Sequence, residues 1–290
     1  MDEAAKPKKP RRGVYLLPNL FTTFGLFAGF YSIIAGIKGH FTFAAIAVIV
    51  AMLLDGVDGR IARMTNTQTN FGAQYDSLAD MVSFGLAPAL VMYLWSLQGM
   101  AALSPELGKL GWLAAFFYAA MAALRLARFN VQIETVEKKY FRGLASPAAA
   151  TLLMSFIWVC EDWGLGPGKD LWVPALILTV VAGSLMISPI FYSSFKDSNR
   201  EGKIPFSGAF LIVLLLVLVF LDPPKVFFGV FFLYALSGPV LSLYRFRQRR
   251  LARQTAGTAD QAQANGAESP AAGAAGRPKE TRPENPKSAD

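Results

Sequence analysis

Four aspartates, Asp55, Asp58, Asp76 and Asp80, stand in the stretch DGVDGRIARMTNTQTNFGAQYDSLAD, residues 55–80. The residues before it are apolar (AAIAVIVAMLL), and so are many after it (MVSFGLAPALVMYLW). On a helix, Asp55, Asp58 and Ala62 are related by i, i+3 and i+7 and share a face. Gly72, Asp76 and Asp80 are related by i, i+4 and i+8 and share a face of a second helix. The short polar turn TNTQTN makes these helices antiparallel neighbours, so the two faces can bring four carboxylates together. Unpaired charge near a membrane core costs several kcal/mol or more. Two arrangements relieve it: protonation, as in a proton relay, or binding of divalent cations. Hard carboxylate oxygens suit Mg²⁺, Mn²⁺ or Ca²⁺, and Asp58, Asp76 and Asp80 are too many for one ion pair with Arg63. Metal binding is the favoured reading.

Small residues accompany the acids: Gly56, Gly59 and Ala62 on the first helix, Gly72 on the second. Glycine in a helix interior costs about 1 kcal/mol, and its usual use is close approach of a backbone or ligand. Small-residue helix packing in a membrane is the plainer explanation. Beside four acids and Arg63, a phosphate-bearing ligand lying over the glycines is the sharper one, with metal ions bridging carboxylates to phosphates.

The elements that must carry these residues are membrane helices. The chain has 290 residues and is 53% hydrophobic, with 23 Phe but one Cys and one His. Repeated apolar runs reach the roughly 20 residues that a bilayer span needs. Eight spans are expected, near 15–37, 41–63, 71–98, 110–131, 143–163, 172–192, 205–222 and 225–246, forming an all-α polytopic bundle over residues 14–250. Residues 1–13 read as a basic arm. Residues 251–290, rich in Ala, Gly, Pro and polar residues, are expected to be disordered. No cleavable signal peptide is evident. A single His leaves no His-based triad or multi-His metal site, and a single Cys, Cys160, leaves no intrachain disulfide. His40 sits in a turn.

The net charge of +8 does not point to nucleic acid, because the basic residues crowd the ends of apolar segments. Twenty Lys and Arg lie on the N-terminal arm, alternate loops and the segment after the last span, against Lys38, Lys109, Lys169 and Lys225 on the opposite loops. By the positive-inside rule, both termini and the acidic stretch are expected on the cytoplasmic side.

The spacing D-x2-D-G-x2-A-R-x8-G-x3-D-x3-D, matched by Asp55, Asp58, Gly59, Ala62, Arg63, Gly72, Asp76 and Asp80, resembles the signature of the CDP-alcohol phosphatidyltransferase family at every position. The resemblance implies an integral membrane enzyme in which an alcohol hydroxyl attacks the phosphorus of a CDP-linked substrate and CMP leaves. It implies that Asp55, Asp58, Asp76 and Asp80 hold divalent metal, Mg²⁺ or Mn²⁺, with Asp80 as general base. Gly59, Ala62 and Gly72 would make room for the nucleotide near Asp55 and Asp76, and Arg63 would steady it.

Further stretches, MVSFGLAPA (81–89), LRLARFNV (124–131), FRGLASPAAA (141–150) and the opening LLPNLFTTFGLFAGFYS, are similar to the membrane-embedded CDP-diacylglycerol–serine O-phosphatidyltransferases. This implies CDP-diacylglycerol and L-serine as substrates, membrane lipids around the protein and a homodimer; the short loops, with no organelle-targeting sequence evident, suit a bacterial inner membrane. Serine is a zwitterion, so its pocket needs a cation and acceptors. Ser83, Arg125, Arg128 and Asn130 are the candidates, with Arg128 a candidate carboxylate clamp. Transfer to glycerol 3-phosphate, inositol phosphate or choline is the nearest alternative. A cation-coupled transporter is a more distant one, because the acids lie in one helix pair and no internal repeat is seen.

Overall fold

Apolar runs broken by short polar turns give a helical protein, and in the computed structural model the described residues form helices and turns without a strand. The structure describes residues 16–64, 69–132, 143–167, 169–190, 192, 206–242 and 248. The basic arm (1–13) and the tail (251–290) lie outside them, as do Lys138, Lys139, Arg142, Lys196, Arg200 and Lys203.

The helices are α1 (Leu16–Ile37), α2 (Phe41–Met64), α3 (Asn70–Asp80), α4 (Ala87–Trp95), α5 (Pro105–Gln132), α6 (Ser146–Asp162), α7 (Trp172–Ile187) and α8 (Phe206–Leu221), followed by α9 (Pro223–Ser242). Local signals set their ends. Gly39, at φ +78°, turns the chain between α1 and α2. Thr69 caps α3 by accepting the Gly72 N–H at 3.0 Å, a use of the TNTQTN segment that satisfies a first-turn donor. Pro105 opens α5 where a missing N–H costs nothing. Asp222 caps α9, accepting the Lys225 N–H on Oδ1 at 3.3 Å and pairing with Lys225 Nζ through Oδ2.

Among the described residues, five helical stretches are long and apolar enough to cross a membrane: Asn19–Ile37, Phe41–Ile61, Asn70–Trp95, Pro105–Val131 and Pro223–Ser242. The other three expected spans fall on α6, α7 and α8, of 17, 16 and 16 residues. At 1.5 Å per residue α6 and α7 are about 25 Å long, short of the roughly 30 Å of a hydrocarbon core; α8 opens at the edge of the described residues. The third expected span also ends early: after Trp95 the chain passes into a 3-10 turn over Leu97–Ala102.

Between α3 and α4, Met81–Leu86 is π-helical, and the Ala87 N–H reaches the Val82 carbonyl five residues back. Nothing in MVSFGL announces this; the stretch reads as ordinary helix.

The core is built from small side chains. Ala44, Ala45, Val48 and Ala51 of α2 and Ala148, Ala149 and Ala150 of α6 are buried, and these two helices pack together, as do α1 with α2 and α5 with α7. Large apolar residues such as Phe27, Phe30, Phe116 and Phe210 point outward. That inversion suits a lipid surround, where close helix approach through small residues replaces hydrophobic driving force.

Candidate active site

The end of α2 and the body of α3 bring Asp55, Asp76 and Asp80 together. One carboxylate oxygen from each lies within 4.8 Å of the others. Asp58, one turn beyond Asp55, is buried and turned toward α1, where its Oδ2 accepts the hydroxyl hydrogen of Thr22 at 2.9 Å. All four aspartates line one cleft.

Thr22 is a residue that sequence reasoning missed. It lies on α1, an element with no charge of its own, and its only sequence signal is a hydroxyl on a membrane face. Gly25, one turn later, also lines the cleft.

The glycines of the acidic stretch differ from one another. A Cβ built on Gly56 or Gly59 would meet nothing within 4 Å, so space lies over both. A Cβ on Gly72 would stand 3.1 Å from Thr69 Oγ1 and 3.4 Å from Asn19 Oδ1. The backbone of Ala62 and Arg63 is helical; their side chains lie outside the described residues.

The π-helical stretch begins one residue after Asp80. Within it Ser83 is buried and donates to the Gly25 carbonyl of α1 at 3.1 Å. The backbones meet closely there: a Cβ on Gly29 would fall 2.6 Å from the Ser83 Cα. A π turn leaves carbonyls out of the regular ladder, and Tyr118 of α5 donates its hydroxyl hydrogen to that of Phe84 at 3.1 Å. So Asp80 sits on a helix held from both sides just beyond it.

The remaining sequence candidates lie at the same end of the bundle. Arg125 Nη1 donates to Ser146 Oγ at 2.6 Å, tying α5 to the first residue of α6. Arg128 Nη1 donates to the Ile187 carbonyl at the end of α7, at 3.4 Å. Asn130 and Ser77 bond each other in both senses, Asn130 Nδ2 to Ser77 Oγ at 3.1 Å and Ser77 Oγ to Asn130 Oδ1 at 3.3 Å. Each of the four acceptor-binding candidates is therefore engaged by the protein, and Ser83 lines the cleft with the acids.

The model of the CDP-alcohol phosphatidyltransferase family matches residues 15–181. The chain belongs to the CDP-alcohol phosphatidyltransferase family. A CDP-diacylglycerol–serine O-phosphatidyltransferase of Helicobacter pylori strain 26695 is 34% identical over 232 residues, covering 78% of this chain and 92% of that protein. A protein of the same name from Mycobacterium bovis is 37% identical over 170 residues, 56% of each chain. An archaetidylserine synthase of Methanothermobacter thermautotrophicus is 33% identical over 178 residues, covering 61% of this chain and 69% of that one.

For a CDP-alcohol phosphatidyltransferase, the acids pass a direct test as a divalent-cation site. Ligand bonds of 2.0–2.6 Å place oxygens on one ion up to about 4–5 Å apart. The Asp55, Asp76 and Asp80 oxygens lie within that span, and they are hard anionic donors on two adjacent helices. The protein is an integral membrane protein by its apolar helices and its family.

Proposed function

We propose that this chain transfers the phosphatidyl group of CDP-diacylglycerol to the hydroxyl of L-serine, giving phosphatidylserine and CMP. The observation that carries the proposal is the cleft in which Asp55, Asp76 and Asp80 converge, in a member of this family whose relatives are named for serine transfer.

The residues have distinct tasks. Asp55, Asp76 and Asp80, with Asp58 in the same cleft, would hold one or two divalent cations, Mg²⁺ or Mn²⁺. Bound there, the metal supplies charge stabilisation for the diphosphate as CMP leaves. Asp58 is oriented by Thr22. Gly59, Ala62 and Gly72 make room for the cytidine nucleotide, and Arg63 steadies it. Asp80 takes the proton from the serine hydroxyl as its oxygen attacks phosphorus; a carboxylate within hydrogen-bond reach does this well. Phosphorus forms a bond to the serine oxygen and loses its bond to the CMP oxygen. The Gly25–Ser83 and Tyr118–Phe84 bonds hold the helix beyond Asp80 so that its carboxylate meets the hydroxyl in one place.

The same reading extends to topology. Eight spans with both termini in the cytoplasm, in a bacterial inner membrane, put the acids where water-soluble serine meets a lipid-borne diphosphate. The asymmetry of Lys and Arg supports this. A homodimer fits the family resemblance.

The test is CMP release from CDP-diacylglycerol by purified protein in detergent. L-Serine, glycerol 3-phosphate, inositol phosphate and choline are compared, with and without divalent metal. Release that needs both L-serine and metal is the expected result. Release with another acceptor moves the specificity and keeps the site; no release from folded protein with any acceptor overturns the reading.

A further inference from the structure

The tryptophans of the chain, Trp95, Trp112, Trp158, Trp163 and Trp172, all lie toward the end of the bundle away from the acids. Trp95 closes α4, Trp158 stands near the end of α6, Trp163 follows α6 and Trp172 opens α7. Trp112 of α5 is level with them: a Cβ on its neighbour Gly111 would fall 2.5 Å from the Leu97 carbonyl oxygen, just past Trp95. The end that carries the acids has no tryptophan. Trp95 is packed inside, its indole N–H donating to Glu161 at 2.7 Å and its ring edge-on to Phe156. Trp112 and Trp163 face outward, 50% and 60% exposed, and Leu165 beside Trp163 is 50% exposed. A scattered apolar side chain at a surface is ordinary. Indole rings gathered at one level of a membrane protein form a headgroup belt, where the apolar ring and the polar N–H are both satisfied.

That level lies close to the acid-bearing end on one flank. On α5, residues 110–124, between Lys109 and Arg125, carry no charge, and on α6 neither do residues 146–160, before Glu161. Each stretch is about 22 Å of helix. The uncharged α7, Trp172–Ile187, is about 24 Å long. These helices are neighbours, α7 packing on both α5 and α6. By contrast α1, which packs on α2, α3 and α4, is uncharged over Leu16–Ile37, about 33 Å. A hydrocarbon core is about 30 Å thick, so the α5–α6–α7 flank falls short of it and α1 does not.

We propose that the α5–α6–α7 flank holds the bilayer thin, with Trp112, Trp163 and Leu165 resting at the headgroup–acyl boundary of the leaflet away from the acids. The partner of this surface is phospholipid. A span shorter than the hydrocarbon is met by local thinning of the bilayer, and interfacial tryptophans set the level to which it is drawn. The connection from α6 to α7 keeps that level: the Leu165 N–H donates back to the Cys160 carbonyl at 2.9 Å, which folds Trp163 and Leu165 against the end of α6. The flank gives the protein a preferred bilayer thickness, independent of the chemistry in its cleft.

The experiment uses the full chain in phosphatidylcholine vesicles whose acyl chains carry bromine either close to the headgroup or close to the chain end. Wild type minus Trp163→Phe gives the emission of Trp163, and wild type minus Trp112→Phe that of Trp112; both side chains are exposed, so neither change disturbs the core. The shallow bromines are expected to quench both residues more strongly than the deep ones. The melting temperature of the wild type is expected to fall from vesicles of short (myristoleoyl) chains to vesicles of long (erucoyl) chains. Trp163 emission quenched by aqueous iodide as fully as that of free tryptophan, and by neither brominated lipid, overturns the proposal by placing the loop in water. Stronger quenching by the deep bromines overturns it too, because the bilayer is then not drawn in. A melting temperature that holds or rises in the long-chain vesicles removes the thinning. None of these readouts needs turnover, so this proposal and the serine-transfer reading fail separately.

Discussion

Thr22 donates its hydroxyl hydrogen to Asp58 across 36 residues of chain, at 2.9 Å. This bond separates Asp58 from its three fellow aspartates, whose oxygens converge without it. Removing the donor leaves a buried carboxylate short of a partner, at a cost of about 1.5–3 kcal/mol for a charged hydrogen bond. Thr22→Val should therefore lower kcat/KM for CMP release by roughly 10- to 100-fold, while Thr22→Ser, which keeps the hydroxyl, stays near wild type. Equal losses in both would mean that the methyl group, not the bond, matters.

Gly56 and Gly59 offer a way to separate packing from binding. No atom lies within 4 Å of a Cβ added at either, and alanine favours a helix over glycine by about 1 kcal/mol. Gly59→Ala should keep or raise the melting temperature in detergent and still raise the KM for CDP-diacylglycerol by about tenfold, a cost of about 1.4 kcal/mol. Lower thermal stability with unchanged KM would return this glycine to helix packing.

Gly29 should behave in the opposite way. Its added Cβ would overlap Ser83, 2.6 Å from the Ser83 Cα, and forced overpacking costs about 1–3 kcal/mol. Gly29→Ala should lower the melting temperature. Gly25→Ala, whose nearest neighbour would be the Ala51 carbonyl at 3.9 Å, should not.

The acids divide by the kind of defect they produce. Chelation of divalent metal should abolish CMP release reversibly. Asp55→Asn and Asp76→Asn should raise the metal concentration needed for half-activation by roughly 10- to 100-fold, on the scale seen when metal-site partners are lost. Asp80→Asn should lower kcat by roughly 10²- to 10⁴-fold even at saturating metal, the usual worth of a general base. A full rescue of Asp80→Asn by excess metal would remove the base role and leave only ligation.

The acidic helix pair was legible in the sequence because fixed spacing puts Asp55 and Asp58, and separately Asp76 and Asp80, on helix faces, whatever the rest of the chain does. The helical, membrane-spanning class was legible from the apolar runs for the same local reason. Thr22, the destination of the Arg125 side chain and the Ser77–Asn130 pair were not, since each depends on which helices touch, and the i, i+3, i+4 pattern is silent on that. The sequence also assigned equal standing to α6 and α5 as spans; run length did not show that turn residues would trim α6 to 17 residues. MVSFGL concealed its π turn entirely, because the extra residue is stabilised by Gly25 and Tyr118, far away in the chain.

That π turn keys two halves of one long helix. Residues in an α-helix step by about 100° each, and the wider coil over Met81–Leu86 takes up one extra residue, so Asp76 and Asp80, which line the cleft, fall on the same inward side as the buried Met92 and Trp95. Each half can then satisfy its own surroundings, the first a polar cleft and the second an apolar interior sealed by the Trp95 bond to Glu161 at 2.7 Å. A one-residue deletion in 81–86 would let the ladder close into regular α-helix. It would take away the wide turn through which Ser83 reaches Gly25 and Phe84 meets Tyr118: the extra residue, as much as any side chain on the rod, holds the acids' helix against α1 and α5.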